Sequence, residues 1–182
     1  MSGKQADPLF EEALAFVLSH EGGYVRDPRD PGGETKYGIS RRSYPGLDIT
    51  NLTREQAAMI YRRDFWDGPG ISHLPRELAL PVFDAAVNAG CRAAVRWLQE
   101  AMNAAGETDQ GLPSLEVDGE LGPVTLERAR QVAENGPVIL RLVRACMLLR
   151  RIRHYLEISE RVTLRPFLRG WLGRTLALDE KS

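Results

Sequence analysis

The run from His20 to Ile39 constrains this chain most, because a helical pattern stops there and a polar, glycine-rich segment takes over. Upstream, Phe10, Ala13, Leu14, Val17 and Leu18 recur at helical spacing and define one apolar face. Gly22 and Gly23 supply the left-handed or extended geometry that ends a helix, which leaves Glu21 at its C-terminus. The unpaired carbonyls of a helix end carry partial negative charge, so a carboxyl placed there is favoured in its protonated form. A carboxylic acid that keeps its proton is what general-acid cleavage of a glycosidic bond requires. The competing reading is an exposed glutamate at a fraying end.

Beyond Tyr24-Val25, the turn formers Asp27-Pro28-Arg29-Asp30-Pro31-Gly32-Gly33 separate two short β-compatible pieces, the second being Lys36-Tyr37-Gly38-Ile39. A small irregular hairpin is expected. Folded back on the helix end, it brings Glu21, Asp30 and Thr35 to one cleft. Two carboxylates and a hydroxyl suit a reaction in which one acid protonates the leaving oxygen while the others orient water or stabilise an oxocarbenium-like centre. Alternatively, Asp30 caps its own turn and Thr35 pairs across the hairpin. Tyr24 and Tyr37, beside these groups, are the candidates for substrate contact.

The two pieces His20-Glu21-Gly22-Gly23-Tyr24 and Asp27 to Ile39 together resemble the N-terminal signature of the glycoside hydrolase family 108 N-acetylmuramidases, a group of phage and prophage endolysins. The resemblance implies that Glu21 is the catalytic acid. More distantly, the order Glu, eight residues, Asp, four residues, Thr is similar to the triad of phage-type lysozymes, which points to Asp30 and Thr35. The spacing between Asp and Thr is one residue longer in those enzymes. A second stretch, Asp84-Ala85-Ala86-Val87-Asn88-Ala89-Gly90, is similar to another motif of the same family. Asp84 and Asn88 share one helix face in an otherwise apolar run, either as a cleft-lining pair that binds an N-acetyl or hydroxyl group or as an internal tether to the hairpin.

At 182 residues the chain can form one compact domain or two small lobes without covalent staples. Cys91 and Cys146 lie in apolar helical surroundings and read as buried free thiols. His20, His73 and His154 are scattered, so no zinc-ligand set is visible, and neither a metal nor an organic cofactor is expected. The start of the chain lacks the apolar core of a secretory signal, and no apolar run is long enough to span a membrane. The expectation is a monomer made in the cytoplasm that acts at the wall or in the periplasm after release through a holin or a dedicated export route. Net charge is −1, but nine arginines between Arg141 and Arg174 face only Glu157 and Glu160. That excess suits anionic wall polymer or phosphate, or else a solvated helix face; no nucleic-acid recognition motif accompanies it.

Thr53-x-x-Gln56 is a capping-box start for a helix to about Trp66, with Ala57, Ile60, Tyr61 and Phe65 as the buried stripe. Tyr61 and Trp66 are either core or sugar-stacking residues. Pro81 suits the first turn of the next helix, Arg92 to Ala105 forms another that buries Val95, Leu98, Ala101 and Met102, and residues 106–113 read as a loop. Asp118-Gly119-Glu120-Leu121-Gly122-Pro123-Val124-Thr125 is at least a turn before a helix, and it resembles an element of peptidoglycan-binding modules. Pro137 opens the longest helix, where Ile139, Leu142, Val143, Cys146, Leu149, Ile152 and Leu156 form an apolar stripe; a last helix from Pro166 packs Phe167, Trp171 and Leu172.

The expected fold is mainly α and lysozyme-like, two packed helical lobes with a small irregular β-hairpin after the first helix. Residues 1–110 form the catalytic lobe and 111–182 a peptidoglycan-binding lobe. The reaction implied is hydrolysis of the β-1,4 bond between N-acetylmuramic acid and N-acetylglucosamine. A lytic transglycosylase, or a non-catalytic wall-binding or secretion-coupled protein, is the alternative.

Overall fold

The computed structural model describes residues 7–21, 25–26, 34–109, 113–161 and 163–180. The protein is mainly α, with seven α-helices and one small antiparallel sheet among the described residues. It divides into two compact units, Met1–Gly68 and Pro69–Ser182. No described helix is long and apolar enough to cross a membrane.

In the first unit, helix α1 spans Pro8–His20, with Asp7 as its N-cap accepting from the Phe10 amide at 3.1 Å. Phe10, Ala13, Leu14, Phe16 and Val17 are buried, whereas Leu18, expected in that stripe, is only half-buried. The sheet consists of β1 (Val25–Arg26), β2 (Glu34–Lys36) and β3 (Ile39–Ser40) in sequential order. Thr35 lies on the central strand, opposite Val25 on one side and Ser40 on the other. The second β-piece read from the sequence is thus split. Tyr37 and Gly38 both have positive φ, 52° and 75°, the geometry of the two-residue turn whose twist matches that of its flanking strands. Arg41 closes the same hairpin, its guanidinium 2.6 Å from Glu34.

Thr53 and Gln56 form the full capping box at the head of α2, Arg54–Tyr61. The helix then widens into a π-helical turn over Arg62–Asp67. That widening inserts a residue into the register, so the buried position after Tyr61 falls on Trp66, fully enclosed, and not on Phe65, which is half-buried. Trp66 therefore has no surface to offer a sugar ring. Its indole N–H donates to Asp7 Oδ2 at 3.2 Å, where Arg62 also arrives at 3.3 Å, and its ring meets Phe10 at 5.6 Å. One carboxylate thus caps α1 and fastens it to the π turn.

The second unit opens with a 3-10 turn at Ile71–His73 and α3, Arg76–Ala89, in which every residue from Leu78 to Ala86 is buried. Pro81 sits inside this helix and not in its first turn, which Pro75 precedes as N-cap. Helix α4, Cys91–Asp109, buries Val95, Leu98, Ala101 and Met102 and runs on through residues expected to begin a loop. Helix α5 is Pro123–Glu134, α6 is Pro137–Ser159, and a 3-10 turn at Arg165–Phe167 leads into α7, Leu168–Glu180. Cys91 and Cys146 form no disulfide, and both are partly exposed and not buried as expected.

Helix α6 buries Val143 as its sequence suggested, but not the rest of that stripe. Val143, Met147, Arg151 and Tyr155, four residues apart, point inward, while Leu142, Leu149 and Leu156 are exposed. The helix is apolar on more than one side, and periodicity alone does not choose between competing stripes. Phe167 is likewise exposed, although its ring stacks on Trp171 at 5.9 Å.

Gln99, fully buried on α4, fastens the Asp-Gly turn that precedes α5. Its amide donates to Asp118 Oδ1 at 2.7 Å, to the Glu120 carbonyl at 3.1 Å and to Thr125 Oγ1 at 3.2 Å, and its carbonyl accepts from Gly119 N at 2.9 Å. Gly119 is at φ 82°, and a Cβ there would fall 2.8 Å from the Arg92 carbonyl, so glycine is required by both conformation and contact. Asp118, Gly119 and Thr125 are accordingly explained as fold-forming residues.

The Gln99 amide, followed by the Glu120 N–H, holds the Asp118 carboxyl below the usual carboxylate range. A group with a lower pKa folded than unfolded binds more protons when unfolded. It stabilises the fold above its unfolded value of about 4, and that contribution is lost as pH falls through the folded value. Melting temperatures of wild type and Asp118→Asn are expected to differ near neutral pH, wild type being higher, and to converge as pH drops below about 4.

Candidate functional site

Glu21 is the C-cap of α1. Its backbone is extended (φ −83°, ψ 135°) and its N–H still closes the last helical bond, to the Val17 carbonyl at 3.1 Å. The side chain therefore leaves the helix end at a fixed point. His20, just before it, is turned back on its own helix, Nδ1 lying 2.9 Å from the Phe16 carbonyl and the ring 4.5 Å from that of Phe16.

The Glu21 carboxyl lies against the β2–β3 turn. A Cβ on Gly38 would stand 2.6 Å from Glu21 Oε2, 2.8 Å from Glu21 Cδ and 2.6 Å from the Tyr61 hydroxyl. The carboxyl and the phenol thus close on the same bare point of backbone. Tyr61 reaches it from α2 with its ring in the core, and its hydroxyl donates to the Tyr37 carbonyl at 2.8 Å. Tyr61, read from sequence as core or stacking residue, is core with a polar tip at the site. Tyr37 is the one non-glycine described residue at positive φ, a conformation that costs a side-chain-bearing residue roughly 1–3 kcal/mol and persists where surrounding structure imposes it. The Tyr61 hydrogen bond and the pairing of β2 with β3 impose it here.

Thr35 lies on β2, two residues before Tyr37 and half-buried. Side chains alternate along a strand, so Thr35 faces away from the side of Glu34, which meets Arg41, and of Lys36, which donates to the Thr50 carbonyl at 2.9 Å. Asp30 and Tyr24 fall outside the described residues. Among the sequence candidates, the structure brings together Glu21 and the Tyr37 backbone. Sequence alone does not reach Gly38 or the polar role of the Tyr61 hydroxyl, because the Tyr37-Gly38 pair reads as strand and Tyr61 as a core or stacking ring.

Asp84 and Asn88 are in the second unit. Asp84 has no exposed surface, and its carboxylate is held by Arg174, with Nε at 2.8 Å and Nη2 at 2.7 Å from Oδ1, and by Arg151 Nη1 at 2.6 Å from Oδ2. The Arg151 contact is a close ion pair with poor hydrogen-bond angles, since neither atom has a geometrically sound hydrogen bond. Arg151 Nε donates to the Tyr155 hydroxyl at 3.0 Å, and burial pushes that phenol above its ordinary value. The partners of Asp84 are thus on α6 and α7 and not on the hairpin to which a tether was expected, because the buried carboxylate is met by the arginines those helices carry. Asn88 donates to the Asp84 carbonyl one turn back, at 2.8 Å.

With this geometry in place, two family models divide the chain between them: one for glycosyl hydrolase 108 matches residues 14–90, and one for a predicted peptidoglycan domain matches 93–176. The chain carries a glycosyl hydrolase 108 domain. A C-terminal peptidoglycan-binding domain follows it. Among solved structures the chain is similar to SagA of Brucella abortus, with a TM-score of 0.73 and 27% identity over 97% of this chain and 94% of that one. No curated protein matches it. Glu21, Thr35, Tyr37, Gly38 and Tyr61 all fall within the glycosyl hydrolase 108 domain. Asp84 lies near the end of that domain, and the two arginines that neutralise it belong to the peptidoglycan domain.

Alanine at Gly38 is expected to displace the Glu21 carboxyl and cut turnover of purified peptidoglycan about 100-fold, the scale of a misplacement near 1 Å. Wild-type turnover in Gly38→Ala would show that the turn does not position Glu21. Asp84→Ala leaves two buried guanidiniums without their carboxylate, an expected loss of about 3–5 kcal/mol seen in thermal melts. An unchanged melt with a raised KM would return Asp84 to ligand binding.

Proposed function

We propose that the protein is an N-acetylmuramidase that hydrolyses the β-1,4 bond between N-acetylmuramic acid and N-acetylglucosamine in peptidoglycan. One observation carries this reading: a carboxyl at the end of α1, fixed against the glycine of a strained turn, within a glycosyl hydrolase domain joined to a peptidoglycan domain. Glu21 serves as general acid and donates a proton to the leaving glycosidic oxygen as the bond to the anomeric carbon lengthens. Asp30 and Thr35 handle the attacking water or the cationic centre, a role supported by their places in the sequence. Tyr24 and the Tyr37 ring contact substrate. The Tyr61 hydroxyl holds the Tyr37 turn, and so acts on the reaction through the position of Glu21.

The N-terminal part carries the chemistry and the C-terminal part wall contact. The setting that suits such an enzyme is an endolysin, released to the wall by a holin or a dedicated export route.

Glu21→Gln is isosteric but has no proton to give, and its clearing of purified murein is expected to fall by at least about 100-fold, the lower range of general-acid contributions. Equal clearing by both proteins would remove Glu21 from the mechanism. Mass spectrometry of the wild-type digest is expected to find reducing N-acetylmuramic acid ends; anhydro ends would mean a transglycosylase.

A further inference from the structure

A groove of about 180 Å³ lies between α4 and α6, lined by Trp97, Glu100, Arg150, Arg153, His154 and Glu157. It belongs wholly to the second unit, and every lining residue falls within the stretch that matches the peptidoglycan domain. Its walls carry both signs of charge. Arg150 Nη1 is 2.7 Å from Glu100 Oε2 across the two helices, and Arg153 Nε is 2.8 Å from Glu157 Oε1 one turn along α6. At its back the Trp97 and His154 rings lie 5.2 Å apart.

Size and exposure narrow what this groove can take. Drug-sized ligands occupy roughly 300–1,000 Å³, so the space suits a single charged residue better than a disaccharide. Trp97 is 9% exposed and leaves too little ring for a pyranose to stack on. The ion pairs are the accessible part: the Arg153 side chain is 82% exposed, and the Glu157 side chain 59%. Exposed pairs of this kind contribute little to stability, so exchanging them for ligand charges is easy. Guanidinium forks match carboxylates in two-point geometry, and the carboxylates beside them match an ammonium.

We infer that this α4–α6 groove binds one doubly charged residue of the peptide stem of peptidoglycan, with Arg150 and Arg153 taking its carboxylate and Glu100 and Glu157 its free amine. The inference rests on peptidoglycan being the polymer this protein acts on, and it gives the second domain a peptide specificity distinct from the glycan chemistry at Glu21.

The test uses the full chain and two probes, the stem tetrapeptide L-alanyl-γ-D-glutamyl-meso-diaminopimelyl-D-alanine and a peptide-free tetramer of N-acetylglucosamine. In NMR titrations the tetrapeptide is expected to shift the Trp97 indole and His154 ring signals, and the tetramer to leave them in place. Reversing two charges in R150E/R153E is expected to raise the tetrapeptide Kd at least tenfold with an unchanged circular dichroism spectrum. Should that double variant not fold, the highly exposed R153E alone serves, and the wild-type shifts decide in either case. Unmoved Trp97 and His154 signals, larger shifts with the tetramer, or an unchanged Kd in the variant would overturn the assignment. Failure of the muramidase reading looks different: wild type would leave murein sacculi intact, whatever the tetrapeptide does to the groove.

Discussion

A carboxylate without access to water has to be met by positive charge, and Asp84 is met by two guanidiniums from helices far along the chain. In the second unit this contact decides how α3, α6 and α7 come together. The Tyr155 hydroxyl accepts from Arg151, and the ring of the same tyrosine lies 5.5 Å from the guanidinium. Buried ionic clusters are expensive to desolvate and are weak evidence for stability.

That cluster also blurs a boundary. The family matches meet between residues 90 and 93, yet the compact units divide at Gly68 and Pro69, so the last helix matched to the glycosyl hydrolase packs in the same body as the peptidoglycan domain. The arginine-rich C-terminal stretch, whose excess charge invited a polyanion reading, spends Arg151 and Arg174 on this internal task and sets Arg150 and Arg153 in the α4–α6 groove.

In the first unit the organising contact is the meeting of the α1 end with the β2–β3 turn. Asp7 fixes one end of α1 to the π turn, and the other end delivers Glu21 to Gly38 and Tyr61. Both ends use the segment Arg54–Asp67: Trp66 answers Asp7, and Tyr61 answers the turn. The π turn separates those two aromatics by five residues and lets both point inward, a spacing that a regular helix would spread over different faces.

The sequence by itself determined the local punctuation: the end of α1 at Glu21, the Thr53 capping box, the Asp-Gly turn before Gly122-Pro123, and the inward face of α4. Each of these signals acts within a turn or two of backbone, where propensity and hydrogen bonding are settled by near neighbours. Tertiary structure alone decided that Trp66 and not Phe65 is enclosed, that α6 buries Met147 and Arg151 and exposes Leu149, and that Asp84 meets Arg174, 90 residues away. It also decided that a glycine and a phenol stand at the Glu21 carboxyl. These outcomes turn on which faces of apolar helices find partners and where buried charges are neutralised, and both are properties of the packed whole that no short window of residues contains.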